Sequence, residues 1–145
     1  MHWIITPFQR ALDFNGRSRR KEYWLFVLFS FIVAVAACAV FAAMGGFDIN
    51  TSEIVTPIGE TLAPIFIIVY MLIFILPSIS VSVRRWHDLG YTGWLFLLST
   101  LLGNIPLLGA LVTIGNIIWF CMPGTVGPNK YGEDPLDAPF QGYIQ

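Results

Sequence analysis

Three long stretches of the chain, residues 24–44, 62–83 and 94–122, contain no Asp, Glu, Lys, Arg or His. The first two, about 21 and 22 residues long, each match the ~20 residues that an α-helix needs to cross the ~30 Å hydrocarbon core. Charged residues make up only 12% of the chain, against about 25% in soluble domains. These features predict an all-α integral membrane protein, and they exclude a disordered chain or a nucleic-acid-binding domain.

The third apolar segment, residues 94–122, fits neither one membrane crossing nor two. As a single helix of about 29 residues it would be about 43 Å long, too long for one upright crossing and too short for two. Residues 103–106, Gly-Asn-Ile-Pro, form a helix-breaking cluster within it. Two interpretations stay open: one tilted and kinked span, or a re-entrant pair of half-helices.

These segments divide one membrane domain, residues 1–145, into a leader (1–23), a loop (45–61), a turn (84–93) and a Gly/Pro-rich tail (123–145). Seven of the eight Lys and Arg residues lie in the leader and the turn, and the loop has none. Because Lys and Arg concentrate in cytoplasmic loops, we expect the N-terminus and the turn to be cytoplasmic in a bacterial inner membrane, and the loop to be external. The side of the tail depends on the third segment.

The leader shows helical amphipathicity over residues 1–14. At ~100° per residue, its apolar side chains fall on one side and its polar ones on the other. This pattern predicts an amphipathic helix that lies at the cytoplasmic interface, although Pro7 weakens it by removing a helical hydrogen bond. The predicted polar arc contains His2, Thr6, Gln9, Arg10 and Asp13.

Three polar blocks flank the apolar segments. The first polar block, residues 14–24, reads FNGRSRRKEYW, the second, residues 84–94, reads RRWHDLGYTGW, and the third, residues 124–135, reads GTVGPNKYGEDP. Their order and spacing, across residues 3–135, resemble a bacterial inner-membrane family catalogued as domain of unknown function 805, the YhaH type. The resemblance implies a small polytopic inner-membrane protein and no particular activity. The third apolar segment is several residues longer here than in compact members.

The first two polar blocks carry the candidate residues for binding anionic headgroups or a partner protein. Basic residues beside an anionic leaflet each contribute ~1 kcal/mol of attraction. Glu22 is expected to pair with arginines of its own block, and Asp88 lies at helical spacing from both Arg84 and Arg85. The structural alternative is an orientation signal and a well-paired turn. The candidates are Arg17, Arg20, Glu22, Arg84, Arg85, His87 and Asp88.

The third polar block is expected to form a compact turn at the membrane surface. Its candidate residues are Gly124, Thr125, Gly127, Asn129, Tyr131, Gly132, Asp134 and Pro135. A calcium site is not expected, because the acidic spacing differs from that of the helix–loop–helix site. The two histidines and two cysteines have no metal-ligand spacing. No catalytic motif is present, so we predict no metal, no cofactor and no catalytic residue.

Function is less constrained than location. We favour a non-enzymatic protein that interacts through its basic cytoplasmic face. One alternative is a subunit of an oligomeric small-solute transporter or channel. It would need several copies, because three short spans cannot enclose a pathway. The apolar segments also lack the ionisable groups typical of pumps, which argues against a pump. The other is a membrane enzyme that acts on lipid headgroups, with His87 as acid or base. The small residues Ser30, Ala34, Cys38 and Ala42 suit close helix packing, within one chain or in a homo-oligomer.

Overall fold

The computed structural model describes residues 2–43 and 57–136, and within them all the regular elements are α-helices. They are α1 (His2–Gln9), α2 (Arg20–Ala43), α3 (Pro57–Asp88), α4 (Trp94–Gly103) and α5 (Leu108–Cys121). In these two ranges the extended structure amounts to an isolated bridge between Asn129 and Gly132. The predicted all-helical fold is therefore confirmed.

Helices α2 and α3 have the length and composition of membrane-crossing helices. α2 has 24 residues, and the apolar part of α3, Pro64–Asp88, has 25. At 1.5 Å per residue these are about 36 and 38 Å long. Most of their apolar side chains face outward rather than into the protein, as expected for surfaces in contact with lipid. The polar blocks at residues 20–24 and 84–88 continue these helices rather than lying in loops.

The third apolar segment forms a hairpin of two short helices. α4 has 10 residues and α5 has 14, or about 15 and 21 Å, so neither is long enough to cross the ~30 Å core. The rings of Tyr91, before α4, and Trp119, near the end of α5, lie 6.4 Å apart. The chain therefore returns to the level from which it left. In the structure this segment is therefore two helices joined at the helix-breaking cluster.

A close backbone approach at the hairpin tip explains one glycine. A Cβ atom on Gly109 would lie 2.3 Å from the carbonyl oxygen of Gly103, a distance that no side chain tolerates. Leu107, in the turn between α4 and α5, has a φ of 70°, which is uncommon for a residue with a side chain. The helix-breaking cluster thus ends α4 and turns the chain through a tight, strained connection.

The leader packs against the two long helices, and its orientation differs from the predicted one. The ring of Phe8 lies 5.5 Å from those of Phe26 and Phe74. Thr6, predicted on the solvent side, is instead buried. The predicted helix to residue 14 also ends earlier, at Gln9. The amphipathic wheel was wrong here because α1 docks onto α2 and α3 instead of facing a uniform interface.

Contacts between α1, α2 and α3 hold the bundle together at this end. The hydroxyl of Tyr70 on α3 donates to the carbonyl oxygen of Ser30 on α2 at 3.0 Å. The buried hydroxyl of Ser80 lies within hydrogen-bond distance of the carbonyl oxygens of Arg10 and Asp13, at 2.8 and 2.7 Å. The Ser80 contacts hold the segment between α1 and α2 against the last part of α3, near the polar blocks.

Candidate functional site

All three polar blocks meet at one end of the molecule. The backbone N–H of Ser18, in the first block, donates to the carbonyl oxygen of Arg84, in the second, at 3.1 Å. The backbone N–H of Thr125, in the third block, donates to the carbonyl oxygen of Asp88 at 2.9 Å. The hairpin makes this arrangement geometrically feasible, because it returns the tail to the end of the bundle that holds the other two blocks.

The carboxylate of Asp88 is the centre of this assembly. The Nε atom of Arg17 donates to Oδ1 of Asp88 at 2.9 Å, and Arg85 forms an ion pair with Oδ2. Arg17 also donates to the carbonyl oxygens of Thr125 and Gly127, the latter at 2.7 Å. Of the two pairings that helical spacing allowed for Asp88, the one with Arg85 forms, whereas Arg84 pairs with another carboxylate. The bond from Arg17, which is 71 residues away in sequence, could not be predicted from helical spacing.

Arg85 joins the same network to the end of α5. It donates to the carbonyl oxygens of Phe120, at 3.0 Å, and Met122. The side chains of Arg17 and Arg85 are 1% and 0% exposed, and that of Asp88 is 6% exposed. Two buried guanidinium groups thus share one buried carboxylate. Together they connect the first block, α3 and the chain that follows α5.

Glu22 has a different partner from the one expected. Its carboxylate lies 3.2 Å from Nη1 of Arg84, and both side chains are buried. The prediction that Glu22 pairs with arginines of its own block was wrong. Glu22 lies on the inner side of α2, whereas its neighbours Arg20 and Lys21 point outward and are exposed. At the start of α2, the acidic side chain therefore faces the protein interior and the two basic side chains face outward.

The imidazole of His87 is packed on several sides. Its ring stacks on that of Tyr131 with centroids 3.8 Å apart and an interplanar angle of 5°. Its Nδ1 lies 3.3 Å from the carbonyl oxygen of Gly16, and a Cβ atom on Gly93 would come within 3.0 Å of Nε2. Burial lowers the pKa of His87 below its ordinary value, so the ring is neutral at pH 7. These contacts give His87 a packing role between the blocks.

Internal hydrogen bonds close the third block into a compact turn. Oδ2 of Asp134 accepts the N–H of Gly127, and Oδ1 accepts that of Leu136, both at 2.9 Å. These bonds lower the pKa of Asp134, which is therefore ionised at neutral pH. Asn129 donates to the carbonyl oxygen of His87 at 3.0 Å, and its own Oδ1 accepts the N–H of Tyr131.

Two glycines are required where the third block docks. A Cβ atom on Gly124 would lie 2.2 Å from Oδ2 of Asp88, so the chain can approach the carboxylate only without a side chain. Gly90, which ends the second block's helix, has a φ of +81°, and a Cβ atom there would meet the Thr125 methyl group at 3.3 Å. Two predicted tail residues remain. Gly132 forms the bridge with Asn129, and Pro135 lines the groove described next.

A groove of about 870 Å³ lies between the start of α2 and the third block. We call it the basic groove, because four cations line it against two carboxylates, Asp88 and Asp134. Apolar side chains of α2 form its other wall. Sequence reasoning left these residues out of the site, although the cations belong to the basic run already noted. The added lining residues are Trp3, Arg19, Lys21, Trp24, Leu25, Leu28, Cys121, Pro123, Val126 and Leu136.

Across residues 2–43 and 57–136, no group of three or more His, Cys, Asp or Glu side chains is placed to hold a metal ion. Cys38 and Cys121 are both free and exposed. The guanidinium groups of Arg17 and Arg85 bind the Asp88 carboxylate and backbone carbonyl oxygens. The site is therefore suited to binding a charged ligand through ion pairs and hydrogen bonds.

The family comparison agrees with this architecture. The sequence pattern of a family described as protein of unknown function (DUF805) matches residues 11–133, which include nearly all of the three polar blocks. The chain belongs to the DUF805 family. The resemblance drawn from the three blocks is therefore confirmed.

Two relatives are similar to almost the whole chain. The inner membrane protein YhaI of Escherichia coli K12 is 35% identical over 136 residues, which are 93% of this chain and 96% of the relative. The inner membrane protein YhaH of the same strain is 31% identical over 139 residues, 96% and 100% of the two chains. No solved structure matches the chain. With α2 and α3, these relatives identify an inner-membrane protein of an uncharacterised family.

Proposed function

We propose that this DUF805 protein binds anionic phospholipid headgroups at the cytoplasmic surface of the inner membrane and catalyses no reaction. One observation carries the proposal. Arg20 and Lys21 are exposed at the start of α2, and they line the basic groove, which continues along an apolar wall. Basic side chains next to an apolar surface at a helix start match the interface between headgroups and acyl chains.

The other charged residues of the site are buried, so we propose that they join the polar blocks and do not contact a ligand. Arg84 and Arg85 are 0% exposed, so neither reaches a headgroup as the sequence hypothesis supposed. Together with Arg17, Glu22 and Asp88 they build the platform that holds the third block in place. We assign direct contact with a ligand to the exposed cations Arg20 and Lys21, with the partly exposed Arg19, which lies over the Trp3 ring, beside them. Among the described residues, none of these three forms an ion pair with a carboxylate.

The proposal includes an orientation. Because Lys and Arg residues near span ends favour the cytoplasmic side, the N-terminus and the 84–93 turn are placed inside. The third block docks on that turn, so the tail belongs on the same side. We expect a cysteine at the exposed position 133 (Glu133→Cys, with Cys38 and Cys121 changed to Ser) to resist an impermeant thiol reagent in intact cells and to react after lysis.

A cysteine in the loop between α2 and α3, Ser52→Cys in the same background, is the matched control. We expect it to react in intact cells, because the loop is external in the proposed orientation. Reaction of the cysteine at position 133 from outside would contradict the orientation, since the tail would then lie on the wrong side for a cytoplasmic headgroup site.

The headgroup proposal predicts a loss of anionic lipid when two outward charges are neutralised. In Arg20→Gln/Lys21→Gln, removing two cations costs about 2 kcal/mol of attraction, which is about a 30-fold loss of affinity. The measurement is the amount of phosphatidylglycerol that the variant and the unmodified protein each retain after extraction from mixed phosphatidylglycerol–phosphatidylcholine bilayers. Phosphatidylcholine retention should change little.

Lys130→Gln is the control for this measurement, because it removes an exposed cation from the third block outside the groove. We expect it to retain phosphatidylglycerol at nearly the level of the unmodified protein. Equal retention by Arg20→Gln/Lys21→Gln and by the unmodified protein would rule out the headgroup role. The basic face would then be assigned to a partner protein.

A second candidate function, a subunit of an oligomeric transporter or channel for a small solute, has one observation in its favour. A cavity of about 330 Å³ lies among α2, α3, α4 and α5, and several of its lining side chains are polar. They include Tyr23, Ser82, Ser99, Thr100, Thr113 and Asn116. Two membrane-length helices and one short hairpin cannot enclose a pathway alone. A strictly monomeric state in bilayers, measured by single-molecule bleaching, would therefore exclude this function.

A further inference from the structure

We infer that the basic groove binds one anionic phospholipid per chain, with the phosphate at Arg20 and Lys21 and the first part of one acyl chain along Leu25 and Leu28. The inference rests on the proposed function. It replaces a general surface attraction with a defined site and a defined occupant.

The groove has the size and lining of a ligand site. Its volume of about 870 Å³ falls in the upper part of the usual ~300–1,000 Å³ range for ligand pockets. It is built from two parts of the chain that are far apart in sequence, the start of α2 and the third block. Buried ion pairs at Asp88 hold these parts together, so the walls are fixed before any ligand enters.

The lining of the groove changes from charged to apolar along α2, as a phospholipid does from its phosphate to its acyl chain. Along α2, the lining changes from Lys21 to Leu25 to Leu28, which lie on one helix face at spacings of four and three residues. The distance along the axis from residue 20 to residue 28 is about 12 Å. Over that length the groove passes from cations to apolar side chains, as a lipid passes from phosphate to acyl chain. A soluble phosphate would use only the first half.

The charges of the groove fit an anionic headgroup. Both carboxylates that line it are already engaged, Asp88 with Arg17 and Arg85, and Asp134 with two backbone N–H groups. Four cations against these two carboxylates leave an excess of two positive charges. Arg20 donates to the carbonyl oxygen of Cys121 at 3.2 Å. A guanidinium carries five N–H donors, so others stay available for a bidentate phosphate contact.

Cys121 supplies a native reporter for occupancy. It lines the groove and is exposed, while the other cysteine, Cys38, lies far along α2 and can be changed to Ser. We expect phosphatidylglycerol in mixed micelles to slow the reaction of Cys121 with a maleimide at least fivefold in the Cys38→Ser protein. Inorganic phosphate and phosphatidylcholine at equal concentration should slow it less than twofold.

Variants of the apolar wall separate this inference from the proposed function. Leu25→Gln/Leu28→Gln should abolish the protection of Cys121 and leave the exposed cations intact. Ile32→Gln, one turn further along α2 and outside the groove lining, should keep the protection. Native mass spectrometry of the Cys38→Ser protein should show one retained anionic lipid per chain.

The outcomes are distinct. If phosphatidylglycerol does not protect Cys121 although the unmodified protein retains anionic lipid through Arg20 and Lys21, the groove is not the site and the proposed function stands. Protection by inorganic phosphate to the same extent would also overturn the inference, since the apolar wall would then be irrelevant. If neither protection nor charge-dependent retention occurs, both proposals fail.

Discussion

Asp88→Asn is expected to lower the free energy of unfolding by about 3–5 kcal/mol, the range found when one partner of a buried ion pair is removed. The substitution leaves the guanidinium groups of Arg17 and Arg85 buried without their shared carboxylate. Because Arg17 also holds the carbonyl oxygens of Thr125 and Gly127, the third block should undock as well. The measurement is denaturant unfolding in detergent micelles, followed by tryptophan fluorescence.

Asp13→Asn is the matched control, since it breaks an ion pair between Asp13 and Arg10 in which both side chains are partly exposed, 40% and 23%. Surface pairs of this kind contribute about 0–1 kcal/mol. We expect the control to unfold within about 1 kcal/mol of the unmodified protein. Similar unfolding of the two variants would show that the network around Asp88 is not what joins the polar blocks.

Gly124→Ala is expected to cost about 3 kcal/mol, at the upper end of the usual range for an overpacked site. The new Cβ atom would lie 2.2–2.7 Å from three atoms of the Asp88 carboxylate. Either the third block moves away or the carboxylate leaves its arginine partners, and both responses weaken the same assembly. The same denaturant experiment gives the loss, and release of the tail should raise the reaction rate of Cys121.

Gly115→Ala provides the comparison for a glycine without such a contact. In the interior of α5, its Cβ atom would find no atom closer than the Trp119 ring at 3.8 Å. Alanine favours a helix by about 1 kcal/mol over glycine, so this variant should be as stable as the original or slightly more so. If Gly124→Ala behaves in the same way, the tail does not dock against Asp88 as described.

Features that depend on neighbours along the chain were predictable. The length of the charge-free stretches predicted α2 and α3, because the bilayer sets how many apolar residues a crossing needs. Helical spacing allowed the Asp88–Arg85 pair, since residues three or four apart share one face. The order of the three polar blocks pointed to the family. In each case the relevant distance lies within one helix or one motif.

Features that depend on where the chain returns were not predictable. The wheel of the leader assumed a single apolar surface, so it could not show that Thr6 would be buried against α2 and α3. Glu22 had several arginines nearby in sequence and paired with Arg84, because the direction of its side chain on α2 decides its partner. The length of residues 94–122 left both a kinked span and a hairpin open.

The apolar lengths and charge distribution of this chain are enough to make it a helical inner-membrane protein, because transfer of apolar residues into lipid is a local property of each segment. Its site has another origin. The α4–α5 hairpin brings the third block back to Asp88, and the packing of three helix ends sorts the arginines into buried and exposed sets. Burial and long-range pairing are properties of the assembled bundle. They decide which basic residues are buried and join the polar blocks, and which are exposed along the groove.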